Sequence, residues 1–245
     1  MLCPEAFFMI IVIPPALYGH VGAILSALII ICCLIGLTVH KDMYEHRVRR
    51  DFYCYYTNLS NLVVLLYFSL AAPLLYAKAP LRRLIPLAEF SVTMAILLTH
   101  LVFHFVIFPA VKAQGGPLMH DRESRILAVD NLFIHYLVPW LTVLYWVFCA
   151  PQKHRVSLPG ALLWTLLPLG YALCIFLRAG RRGPIRGTQS AYPYPFLNAE
   201  VLGVRRTLRN CVVLYAICAL ASIGLVLLIR ALYALFGGGQ LLILV

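Results

Sequence analysis

Acidic side chains are scarce in this chain: nine Asp and Glu stand against 20 Lys and Arg in 245 residues, and charged residues of both signs make up only 12%. A water-soluble domain carries about twice that share, so little of this protein is built to face water. Its eight cysteines (Cys3, Cys32, Cys33, Cys54, Cys149, Cys174, Cys211 and Cys218) form no Cys-x-x-Cys pair. Most lie in apolar stretches as small fillers, so neither a disulfide framework nor a thiolate zinc site follows. Also missing are Gly-x-Ser-x-Gly, His-Glu-x-x-His, a Gly-rich phosphate loop, any fixed-period repeat and the short alternating segments of a membrane β-barrel.

What remains is hydrocarbon. Apolar residues make up 62% of the chain and its mean hydropathy is +0.89. The apolar runs last about twenty residues, one bilayer crossing each. The pattern predicts a single all-α integral membrane domain over 1–245, with six crossings: Leu17 to Val39, Tyr53 to Ala77, Leu87 to Pro109, Ile126 to Cys149, Gly160 to Leu177 and Cys211 to Phe236. Pro14 and Pro15 break the leading apolar segment, which argues against a cleaved signal. The net charge of +11 and pI of 9.5 sit in the connections, where anionic head groups lie, so the expected partners are membrane lipids and not nucleic acid. Lys and Arg concentrate in the odd-numbered connections, above all Arg178 to Asn210, which places those on the cytoplasmic side.

Polar groups within a crossing are costly and mark function by default. Thr57, Ser60 and Asn61 share a face of the second crossing, Glu89, Thr93, His100 and His104 one of the third, and Asn131, His135, Thr142 and Trp146 one of the fourth. Three polar stripes are therefore expected to converge on one polar intramembrane cavity. The second and fourth crossings start on the same side, so Thr57 and His135 fall in the same half of the bilayer. Pro139 cannot donate to the His135 carbonyl four residues back, which frees that oxygen and bends the helix.

A neutral imidazole within reach of a hydroxyl can act as general base and turn a weak nucleophile into one that attacks an ester carbonyl. Asn131, one turn before His135, is the expected orienting partner. Asn58, Asn61 and Asn131 are candidate oxyanion donors. The same spacing also suits structural residues, with Thr57 bonding its own i−4 carbonyl. His100 and His104, one turn apart, have the spacing of a metal or haem site but lack further ligands, so no metal and no cofactor are expected.

The segments Tyr55-Tyr56-Thr57-Asn58-Leu59-Ser60-Asn61, Asn131-Leu132-Phe133-Ile134-His135 and Tyr192-Pro193-Tyr194-Pro195-Phe196-Leu197, in that order, resemble the androgen-induced-gene family of multipass membrane proteins and its bacterial six-helix relatives. That resemblance implies a hydrolase of fatty acid esters of hydroxy fatty acids, located in the cell membrane if the source is bacterial. It implies Thr57 as nucleophile and His135 as base, with an acyl-chain ester as substrate. The chain departs from the family where Ser60 or Asn61, and no carboxylate, follows the threonine. Tyr194 joins Glu89, His100 and His104 as a candidate for the cavity, with its connection covering the mouth. The competing expectation is a non-enzymatic membrane protein that binds lipid or conducts protons or solutes through the same interior.

Overall fold

The computed structural model describes residues 15–39, 50–113, 129, 131–150, 152–185 and 188–235. The leading apolar segment, most of the first basic connection, the Asp121-Arg122-Glu123 run, Asp130, most of Ile126 to Asp130 and the terminal glycines lie outside these residues.

Helix is the secondary structure throughout, with no strand among the described residues. α1 spans Pro15–Val39. α2 runs as Tyr56–Leu66, a π turn Tyr67–Ala71 and Ala72–Ala77. α3 is built alike, from Ile85–Val102, a π turn Phe103–Ile107 and Phe108–Ala113. α4 comprises a π turn Phe133–Leu137 and Val138–Cys149. α5 joins Gly160–Leu163 to Leu166–Ala179, and α6 is unbroken over Val204–Leu235.

Five helices are long and apolar enough to cross a membrane, over Gly19–Val39, Tyr56–Leu75, Pro80–Ala110, Gly160–Ala179 and Val204–Leu235. They are compatible with an integral multipass membrane protein. The expected fourth crossing is described as the shorter apolar helix Phe133–Cys149. α2 starts at Tyr56 and not Tyr53, because Arg50–Cys54 winds as a 3-10 turn. α6 starts at Val204 and not Cys211. Gly203, at φ 76, makes the turn that only glycine takes without strain, and Arg205, Arg206 and Arg209, good helix formers, continue the helix. At 1.5 Å per residue its 32 residues exceed the hydrocarbon thickness of a bilayer.

Prolines dictate the local winding. Each π turn ends two residues before a proline: Pro73, Pro109 and Pro139. A proline inside a helix lacks an N–H and its ring collides with the carbonyl four residues back. Widening the preceding turn relieves the collision, and the residue before the proline bonds five residues back, Ala72 to Tyr67, Phe108 to Phe103 and Val138 to Phe133. Pro168 acts differently: its i−4 residue Trp164 lies in the break that splits α5.

α3 divides the interior into two cores. On one side Ile29, Cys33, Val64, Tyr67, Phe68, Val138 and Tyr145 join α1, α2 and α4. On the other, Tyr56, Phe90, Leu98, Trp164, Tyr171, Tyr194 and Cys218 join α3, α5, α6 and the connection before α6. The outer surface is apolar, with Ile24, Leu28 and Ile31 of α1 and Val212, Ile217 and Leu220 of α6 exposed. Lipid offers no hydrophobic drive between helices, so close packing of small residues matters. A Cβ on Gly36 would stand 2.5 Å from Ile134 Cγ2, so only glycine lets α1 approach the π turn of α4.

Candidate functional site

Thr57 is the second residue of α2, and the turn before it is anchored from three directions. The Tyr171 hydroxyl of α5 donates to the Cys54 carbonyl at 2.7 Å, and Asn58 Nδ2 donates to the Phe52 carbonyl at 2.9 Å. Arg178, at the end of α5, forms a 3.3 Å ion pair with Asp51 and donates to the Ala191 carbonyl at 3.1 Å. One guanidinium thus fastens both the entry to α2 and the Tyr192–Leu197 segment, which folds back into the bundle.

That fold-back brings Tyr194 to Thr57. The first N–H groups of a helix have no partner of their own, and the Thr57 N–H donates to the Tyr194 hydroxyl oxygen at 3.5 Å. The same phenol interacts with the Thr57 side chain and the Tyr56 backbone. Burial pushes the Tyr194 phenol above its ordinary pKa, and the hydrogen bonds from Thr57 pull it partly back. Aromatic neighbours fix the ring: Phe196 stacks on it at 5.4 Å and Tyr55 meets it edge-on at 6.3 Å.

A cavity of about 80 Å³ opens beside these groups, lined among others by Tyr56, Thr57, Thr99, Tyr171, Tyr194 and Leu214. Its volume holds several waters or the end of an acyl chain. The lining is chiefly hydrocarbon with a few hydroxyls, so the expected polar chamber is an apolar one with a polar corner.

The polar stripes do not all reach it. Thr93 and Thr142 donate back to the carbonyls of Glu89 and Val138, each at 2.8 Å, the local self-satisfaction open to hydroxyls in helices. Ser60 turns to Thr99 at 2.6 Å. Asn61 Nδ2 donates to both the Thr57 carbonyl at 2.8 Å and the Ile134 carbonyl at 3.1 Å. One amide therefore ties the segment bearing Thr57 to the one bearing His135. Both its N–H groups are occupied, which weakens its case as an oxyanion donor, whereas Asn58 Nδ2 spends one of its two N–H groups on Phe52. Among the described residues the two amide oxygens have no donor, so they stand as acceptors.

His135 is buried but is not one of the residues lining that cavity. Its ring lies parallel to Phe103 at 3.7 Å. Its carbonyl, orphaned by Pro139, accepts a 2.8 Å hydrogen bond from His100 Nδ1. That contact requires a proton on Nδ1, and in the neutral ring leaves the lone pair on Nε2. Asn131, half-buried, makes no side-chain hydrogen bond to a described residue. His104 is exposed, 3.2 Å from the Tyr136 hydroxyl. Neither His100 nor His104 lines the cavity, and no group of three metal-ligating side chains occurs among the described residues.

Glu89 belongs elsewhere, near the start of α3 at the opposite end of the bundle. The Tyr145 hydroxyl donates to its Oε1 at 3.5 Å. Lys153 lies near enough to feel its charge, only 2% exposed, with Nζ donating to the Ala150 carbonyl at 3.0 Å. Burial pushes the Lys153 ammonium down to about 8, against the pull of Glu89. By its position between two apolar runs Lys153 is one of the connection charges. Only its contacts with residues far along the chain reveal it as an interior group.

No protein-family model, no curated protein and no solved structure matches this chain.

Proposed function

We propose that this protein is an intramembrane lipid hydrolase that cleaves long-chain fatty acid esters, of the hydroxy-fatty-acid type that its resemblance to the androgen-induced-gene family implies. The observation that carries the reading is the surroundings of Thr57: a hydroxyl facing an apolar cavity, at a helix N-terminus, against a buried phenol.

Thr57 Oγ1 attacks the ester carbonyl carbon while His135 takes its proton. The carbon–oxygen bond to the alcohol then breaks, and His135 returns the proton to the departing alkoxide. Water, deprotonated by His135, hydrolyses the acyl-threonine to the free acid and regenerates the hydroxyl. Asn61 supports this pairing, since it joins the Thr57 carbonyl to that of Ile134, the neighbour of His135. Negative charge on the carbonyl oxygen falls next to the Thr57 N–H and the Tyr194 hydroxyl, at the positive end of α2. Apolar walls hold the acyl chain and keep bulk water out.

The test is turnover of a hydroxy-fatty-acid ester by purified protein in detergent. Thr57→Ala abolishes it and His135→Ala lowers it by about 10²–10⁴-fold, with a cooperative melting transition retained in both. Full turnover in either variant defeats the assignment. A cavity that binds lipid without any turnover, and a Thr57 that does not label with a fluorophosphonate, support the non-enzymatic alternative.

A further inference from the structure

A second hollow, of about 410 Å³, lies between α3 and α6 and shares Val102, Phe196 and Leu214 with the cavity at Thr57. Its volume is in the range that takes one small ligand. Its walls are hydrocarbon: Val106 of α3, and Val213 and Ile217, one and two turns beyond Arg209 on α6. Its polar lining is confined to one end, where Arg209 and Asn210 stand. Asn210 Nδ2 is engaged with the Phe196 carbonyl at 3.3 Å. Arg209 is exposed and pairs with no carboxylate among the described residues. It sits within the first two turns of α6, with Arg205 one turn away on the same face.

An apolar channel with a single unpaired guanidinium at its polar end matches an amphiphile with one anionic group and one alkyl chain. We propose that this groove binds a long-chain carboxylate, its head held by Arg209 and its chain directed past Val213 toward the inner cavity. Guanidinium and carboxylate are matched for charge-assisted, two-pronged hydrogen bonding. Binding rests on the groove alone, whereas a role in holding the acid end of an ester for Thr57 rests on the hydrolase reading above.

Photoaffinity labelling separates the two. The full chain carrying Thr57→Ala, in phosphatidylcholine nanodiscs, is irradiated with a diazirine-bearing fatty acid, and the adducts are mapped by mass spectrometry. Adducts are expected on residues 102–106 and 209–217, displaced by oleate and not by methyl oleate. Arg209→Gln lowers that labelling about tenfold, and Val213→Trp, which fills the groove, removes it with Arg209 in place. Equal labelling by the methyl ester of the probe, undiminished labelling of Arg209→Gln, or displacement by phosphatidylglycerol as readily as by oleate overturns the proposal. Because the threonine is absent throughout, a failure of hydrolysis leaves this result standing, and a failure here leaves the hydrolase testable.

Discussion

At the end of the bundle where α2 begins, the buried polar groups are hydroxyls, amides and imidazoles near an apolar hollow, whereas at the opposite end a carboxyl and an amine are buried in the same region. The first set is tied by neutral hydrogen bonds: Asn61 to two carbonyls, Ser60 to Thr99, His100 to the His135 carbonyl. The second set, Glu89 and Lys153 with Tyr145, carries charge out of water. Neutral polar groups cost little to bury once paired, so they leave the first end free to take a ligand. Ionisable groups are costly to bury and need their hydrogen bonds, so the second end, where Tyr145 of α4 donates to Glu89 of α3, serves as a fastener.

Removing one member at each end sharpens this contrast. Glu89→Ala leaves the Tyr145 hydroxyl without its acceptor and removes the negative charge that offsets the burial of Lys153, and is expected to destabilise the protein by about 3 kcal/mol, read as a large drop in melting temperature in detergent. A loss under about 1 kcal/mol would mean that water reaches Lys153 and that the two ends are alike. His100→Ala, at the other end, leaves the His135 carbonyl without its donor and should cost about 1–3 kcal/mol, with a matching loss of turnover if His135 is the base. If His100→Ala costs more than Glu89→Ala, the neutral end is the true fastener.

A third effect is one of pH. Because the Lys153 ammonium is held down to about 8 in the folded protein against 10.5 ordinarily, the unfolded chain binds more protons between those values. Stability then rises with pH across that window, and the penalty is present in full below about pH 8. Melting curves from pH 7.5 to 10.5 should show this rise in the wild type and a flatter profile in Lys153→Met. Parallel profiles would place the lysine in water.

How much of this was legible in the sequence depends on the range of the interaction. Pro139 withholding a hydrogen bond from the His135 carbonyl is a rule over four residues, and the freed oxygen is there, capped by His100. The all-helical architecture and the apolar exterior follow from composition and run length in the same way. Thr93 and Thr142 were legible in type but not in outcome, since a hydroxyl in a helix chooses between its own backbone and a neighbour according to how the helix is turned. The burial of Lys153, the reach of Arg178 to Asp51 and the contact of Tyr194 with Thr57 join residues 64, 127 and 137 positions apart, and no local periodicity records such pairings. Gly36 likewise looks like any glycine in an apolar run until Ile134 is placed against it.

The wide turns ahead of Pro73, Pro109 and Pro139 have a geometric aftermath. Each accommodates one residue more than ordinary winding allows, so every side chain beyond it is rotated by about 100° from where an uninterrupted spiral would carry it. Along α4 that offset falls between Asn131 and Thr142, which is why a single straight stripe drawn on the sequence ends up addressing two different flanks of the molecule.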